Sequence, residues 1–113
     1  METNALENLI FARKSKTELI DETILSLQCL LHEAFSEKGK PELKSEFPRN
    51  TCPNDLRIKL GNVVVYIESL HKPGLSIEVI LDIFMNSTKS ELGTYSHIFN
   101  EEGNLVDEML VIN

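Results

Sequence analysis

Few side chains in this sequence of 113 residues are of the types that do covalent or metal chemistry. His97 and Asp107 lie on successive strand-like segments, and a turn at Glu101-Glu102-Gly103 would set them opposite one another. A histidine–carboxylate couple can move a proton when substrate lies within hydrogen-bond reach, and hydrolases add a nucleophile nearby. Ser96 is adjacent in sequence, but its side chain points to the other face of the strand, so it completes no triad. The couple reads first as an ordinary cross-strand pair. Cys29 and His32 have Cys-x-x-His spacing, with Cys52 as a possible third ligand. Structural zinc sites are built from two paired knuckles, and the second is missing here. Cys29 is expected to pack as a small apolar residue, with His32 at the flank of its helix. His71, just before Pro73, has no visible partner. Gly61 and Gly103 are isolated turn glycines, unlike a phosphate cradle. No catalytic residue, metal ligand or cofactor is therefore expected, and an enzyme is the least supported class.

The elements that must position any site divide the chain near Asp55. Residues 1–38 read as helical, 39–55 as a connection containing Pro41, Pro48 and Pro53, and 56–113 as consecutive strands, all within one domain. Asn4 with Glu7, and Ser15 with Glu18, have the spacing of helix-capping boxes. They predict a short helix, a break at residues 14–16 and a long helix with the stripe Ile20, Ile24, Leu27, Leu31, Phe35. The rival is one continuous helix from Ala5 to Lys38, whose stripe is interrupted by the polar residues Arg13 and Thr17. Gly39 and Pro41 end the helical half. Leu43 and Phe47 are the residues that could pin the connection to the core.

Beyond Asp55 the apolar period becomes two. Leu56, Ile58 and Leu60 precede Gly61-Asn62, and Val63, Val65 and Ile67 follow, as in two strands joined by a two-residue hairpin turn. Leu75–Met85 is the next strand, with Ile67 expected opposite Val79. A loop over Asn86–Gly93 leads to Thr94–Phe99, and the Glu101-Glu102-Gly103 turn leads to Leu105–Ile112. A bulged hairpin there places His97 opposite Asp107 and Tyr95 opposite Met109; which face it buries stays open, since both carry apolar residues. The expected fold is α+β: two N-terminal helices on one face of a five-stranded antiparallel meander sheet.

With the odd positions turned toward the helices, Val64, Tyr66, Glu68, Glu78, Ile80, Asp82 and Phe84 face outward. The expected register sets Tyr66 beside Ile80, Val64 beside Asp82 and Glu68 beside Glu78, so the acids gain no close partner from the sheet. Apolar Tyr66, Ile80 and Phe84 ringed by charge fit a protein-binding face. The alternative is that the C-terminal strands or the 39–55 connection cover them. Glu91, Glu101, Glu102, Asp107 and Glu108 cluster around the last hairpin, where they could steer a basic partner or simply protect an edge strand.

Lys and Arg number 11 against 18 Asp and Glu, a formal charge of −7. That balance argues against a nucleic-acid ligand, which needs cations to displace counterions, and against anionic lipid. No apolar run approaches a membrane span and no signal pattern opens the chain, so a cytoplasmic protein is expected. Small size, acidity, no catalytic set, two helices and a strand-rich half with an acid-edged apolar face together resemble the small acidic immunity proteins of bacterial toxin–immunity systems, including contact-dependent growth inhibition. The resemblance is in layout and charge along the whole chain and carries no residue roles across. It implies a monomeric protein that binds and neutralises a cognate toxin domain, often a cationic nuclease. In that reading Tyr66, Ile80 and Phe84 are interface anchors, while Glu78, Asp82, Glu101, Glu102, Asp107 and Glu108 occupy the toxin's cations. A homodimeric acidic chaperone for secreted effectors is the second reading. A small-molecule site or enzyme at His97 and Asp107 is the third.

Overall fold

The computed structural model describes residues 10–11, 13–36, 45–48, 51–67 and 74–113. Helix α1 spans Lys16–Ala34. The Ser15 hydroxyl accepts from the Glu18 N–H at 3.1 Å, and the Glu18 carboxylate accepts from the Ser15 N–H at 3.4 Å. This reciprocal cap is worth about 1 kcal/mol. The extended backbone of Ser15 puts the break within residues 14–16, as the sequence predicts. The shorter helix expected from Asn4 lies outside the described residues, apart from Ile10 and Phe11, which pack at the margin of the core. α1 ends four residues before Lys38, because both the N–H and the hydroxyl of Ser36 turn back to the Glu33 carbonyl. Gly39, Pro41 and Leu43 lie outside the described residues.

The buried face of α1 is Leu19, Thr23, Leu27, Leu31 and Ala34, with Ile20, Ile24 and Phe35 at its margin. Thr23 can sit in the middle because its hydroxyl donates to the Leu19 carbonyl at 2.8 Å, inside its own helix. Cys29, expected inside, is exposed, on the side of the helix turned away from this face. Phe47 does pin the connection: it is buried, with its ring centroid 5.4 Å from that of Phe35. A single 3-10 turn, Pro53–Asp55, then enters the sheet.

Among the described residues the sheet has four strands, not five, in the antiparallel order β1 (Leu56–Ile67), β2 (Leu75–Met85), β3 (Glu91–Asn100), β4 (Leu105–Ile112). Gly61-Asn62 is not a turn. β1 runs straight through it, and the register against β2 slips by one residue between Leu60 and Asn62, a β-bulge. A two-residue turn and a one-residue bulge move an alternating pattern from even to odd positions in the same way. Here the bulge lets Leu56, Ile58 and Leu60 join Val63, Val65 and Ile67 on one face of one strand. Val63 rather than Ile67 therefore pairs with Val79, and Ile67 pairs with Leu75. β3 begins at Glu91, earlier than Thr94, because a tight turn closes it: Lys89 adopts φ 62, and the Met85 N–H donates to the Ser90 carbonyl at 2.9 Å.

The cross-strand rows on the helix side show the core directly. Val65, Ile77, Phe99 and Leu105 form one row; Val63, Val79, His97 and Glu108 the next; then Leu60, Leu81, Tyr95 and Leu110; then Ile58, Ile83, Gly93 and Ile112. α1 lies over the β2 and β3 members, which are almost wholly buried, while Leu60 on β1 stays half exposed. Gly93 is required by a close approach: a Cβ there would lie 2.0 Å from the Val111 carbonyl oxygen. Among the described residues, no helix is long and apolar enough to cross a membrane.

Candidate partner-binding face

The side of the sheet away from α1 carries Tyr66, Glu78, Ile80, Asp82 and Phe84, as the alternation predicts. Their neighbours differ from the expected register. One row is Val64, Glu78, Ile98 and Asp107; the next is Asn62, Ile80, Ser96 and Met109; the third is Lys59, Asp82, Thr94 and Val111. Tyr66 pairs with Ser76, and Phe84 lies between Arg57 and Glu91. Glu78 takes Val64 as its β1 partner, so the pair expected with Glu68 is not the one observed; Glu68 itself lies outside the described residues. β3 and β4 extend the sheet sideways instead of folding over it, and Phe47 packs into the helix-side core.

Because β1 is one strand, Arg57 and Lys59 lie directly beside β2, and the acids are not without partners. Lys59 sits opposite Asp82, with its ammonium 5.9 Å from the centre of the Phe84 ring, a cation–π distance. The Tyr66 hydroxyl donates to Glu78 at 2.6 Å, and that bond to a carboxylate raises the phenol pKa above its usual value. The face is thus zoned: the cations lie along the start of β1, and the acids Glu78 and Asp82 on β2 and Asp107 on β4 lie beyond it. Among these acids is an apolar patch of Val64, Ile80, Ile98, Met109 and Val111, with the small Ser96 in the middle. Ile98, Met109 and Val111 are not singled out by the sequence, because the inward and outward faces of the last hairpin cannot be told apart there.

That ambiguity comes from a second bulge. Phe99 pairs with Leu105 but Ile98 with Asp107, so Val106 is the extra residue and every later pair shifts by one. His97 consequently faces Glu108 rather than Asp107, and Tyr95 faces Leu110 rather than Met109. Asp107 is on the outer face, whereas Glu108 points to the helix side and does not join the proposed anion set there. Glu101 and Glu102 are exposed in the β3–β4 turn, with Gly103 at φ 82 closing it. That turn stands at the end of the sheet where Tyr66, Ser76 and Asn100 form the last row shared by β1, β2 and β3.

On the helix side, His97, Tyr95 and Glu108 form a chain of hydrogen bonds. The Tyr95 hydroxyl has one proton, and it goes to the Glu108 carboxylate. Its oxygen must then accept from His97 Nε2, 2.7 Å away, which fixes the neutral tautomer with the proton on Nε2. Among the described residues, His97 Nδ1 is buried without a hydrogen-bond partner. Burial lowers the His97 pKa below its usual value, against the opposing attraction of Glu108 and, more weakly, Glu22 on α1. Burial and the bond to Glu108 raise that of Tyr95. The imidazole is only 2% exposed, lying between the rings of Tyr95 and Phe99. Ser96 is indeed on the opposite face, between Ile80 and Met109. This geometry holds strand β4 to the core and offers a substrate no approach to the imidazole. Cys29 and Cys52 are both exposed free thiols, and among the described residues no three His, Cys, Asp or Glu are grouped to hold a metal ion. His71 lies outside the described residues. Compared with protein-family models, with curated proteins and with solved structures, the chain matches none.

Proposed function

We propose that this protein is a non-catalytic binding module, an immunity protein that docks a cationic toxin domain on the outer face of its sheet and neutralises it in the cytoplasm. One observation carries the reading: the apolar patch of Val64, Ile80, Ile98, Met109 and Val111 is interspersed with the acids Glu78 on β2 and Asp107 on β4, in a chain of net charge −7. Apolar side chains supply the desolvated centre of an interface, and the acids select a basic partner and speed its approach. Phe84 and Ile80 are the proposed anchors, with Tyr66 and Glu78 acting as one hydrogen-bonded unit at the rim. Lys59 beside Asp82 narrows the acidic surface to the β2–β4 side, so the toxin's cations are expected there and not over β1.

The test is a tagged pulldown from the native host at low and moderate salt, followed by neutralisation. A single basic partner, bound one to one, whose toxicity is abolished by an equimolar amount of this protein, supports the reading. A self-dimer that takes up extended effector segments replaces it with the chaperone reading. A monomer that protects against no toxin sinks it.

A further inference from the structure

The two edges of the sheet are not alike. β1 carries Arg57, Lys59 and a bulge at mid-strand, the devices that keep an edge from pairing with another chain. β4 carries no Lys, Arg or Pro, and after its bulge at Val106 it runs regularly from Asp107 to Ile112. Four of its eight residues are large apolar side chains left about half exposed: Leu105 at 50%, Val106 at 58%, Met109 at 53% and Val111 at 46%. Its own guards, the bulge at Val106 and the helix-side charge of Glu108, lie in its first half, so Met109 to Ile112 is left as a template for a further strand. Its charge is one-sided as well: from Asn100 to Asn113 the chain holds Glu101, Glu102, Asp107 and Glu108 and no cation.

We propose that the free edge of β4 takes an extended, cationic segment of the partner protein as an added strand. The inference rests on the partner being a basic protein and specifies how it is held. Main-chain hydrogen bonds to β4 supply affinity without reference to sequence, and alternate side chains supply selectivity. On the outer side the added strand sets apolar residues beside Met109 and Val111 and a Lys or Arg beside Asp107, continuing the apolar patch by one strand. At the turn end its next cations meet Glu101 and Glu102. A second copy of this chain is disfavoured as occupant, because pairing β4 with itself brings two sets of these acids together with no cation between them.

The test uses the full chain, 15N-labelled, and a capped octapeptide whose alternate positions run valine, valine, lysine, lysine with threonine between them, with the peptide carrying glutamate in place of lysine as control. The expected result is slowed amide exchange confined to β4, with binding weakened at least tenfold in Met109→Lys and in Val111→Lys. Both side chains are exposed, so unchanged melting temperatures keep the comparison valid. Perturbation centred on Ile80 and Phe84 without protection of β4 overturns the proposal, as does equal binding of the two peptides. Concentration-dependent dimerisation with β4 protected in the absence of peptide also overturns it, assigning the edge to a second copy. The two readings fail separately. A toxin still neutralised by Met109→Lys and Val111→Lys but not by Phe84→Ala retains the immunity function and removes the added strand. A peptide bound at β4 by a chain that neutralises nothing does the reverse.

Discussion

Removing a single oxygen, in Tyr95→Phe, tests whether the buried chain from His97 to Glu108 holds the sheet together. The hydroxyl accepts from His97 Nε2 at 2.7 Å and donates to Glu108. Its loss leaves the Nε2 proton buried beside an apolar ring, and moving that proton to Nδ1 brings no relief, because Nδ1 also has no partner. An orphaned buried donor costs about 1–3 kcal/mol. The bond to Glu108 counts for less than a buried charge-assisted bond, since that side chain is 56% exposed and water can replace the phenol. Together these give a loss of about 2–3 kcal/mol, read as a lower urea midpoint at unchanged slope and a melting temperature down by about 10 °C. Glu108→Gln keeps an acceptor for the phenol and should cost less than about 1 kcal/mol. A Tyr95→Phe variant within about 0.5 kcal/mol of the parent would falsify the account, as would a Glu108→Gln loss equal to it.

The same histidine makes stability depend on pH. Burial lowers its folded-state pKa below 6.5, so the unfolded chain binds the proton more readily. The contribution is complete above about pH 6.5 and is lost as pH falls toward the folded value; an NMR titration of the His97 ring with a midpoint at or above 6.5 contradicts this. Tyr95 acts at the other extreme: with its pKa raised above 10.0, its contribution is present below that value and lost as pH rises toward the folded one. Gly93→Ala places a methyl group against the Val111 carbonyl and should cost about 2 kcal/mol or more, with hydrogen exchange faster in β4 than in β2; equal exchange would locate the strain elsewhere. Phe84→Ala should weaken toxin binding by about 2 kcal/mol with folding intact, and added salt should slow association more than it speeds dissociation. A binding loss within error removes Phe84 from the interface.

Local chemistry is what the sequence displays most directly. The box formed by Ser15 and Glu18 involves residues three apart, and it starts α1 where the spacing places it. The alternation of Leu75–Met85 correctly sets Ile77, Val79, Leu81 and Ile83 inward, because a strand at the middle of a sheet has one apolar period and no interruption. Pairing between distant strands is less visible. Gly61-Asn62 has the residues of a hairpin turn and the parity change of one, and the bulge there was detectable only by length. Eleven residues of β2 cannot be matched by a five-residue strand, but they are matched by twelve that include one extra. Val106 has no signature at all, since β4 carries apolar side chains at both parities. That one residue turned Asp107 outward and brought Glu108 to His97, so the acid in the buried chain was misassigned while its histidine was correctly placed. Polarity alone favours burying Cys29 in α1, whereas the helix buries the Thr23 hydroxyl, which it satisfies internally, and leaves the thiol outside.

The bulge at Gly61 also constrains how this chain can change in length. Its two flanks count in opposite parity: Leu56 to Leu60 put even numbers toward the helix, and Val63 to Ile67 put odd ones there. Deleting one residue within either flank turns part of that flank inside out, with Arg57 and Lys59, or Val64 and Tyr66, driven toward the core. Deleting Gly61 itself removes the extra residue and leaves both flanks in phase. Single-residue gains and losses in β1 should therefore be tolerated at the bulge and nowhere else along the strand, so that one irregular position absorbs the length variation of the whole element.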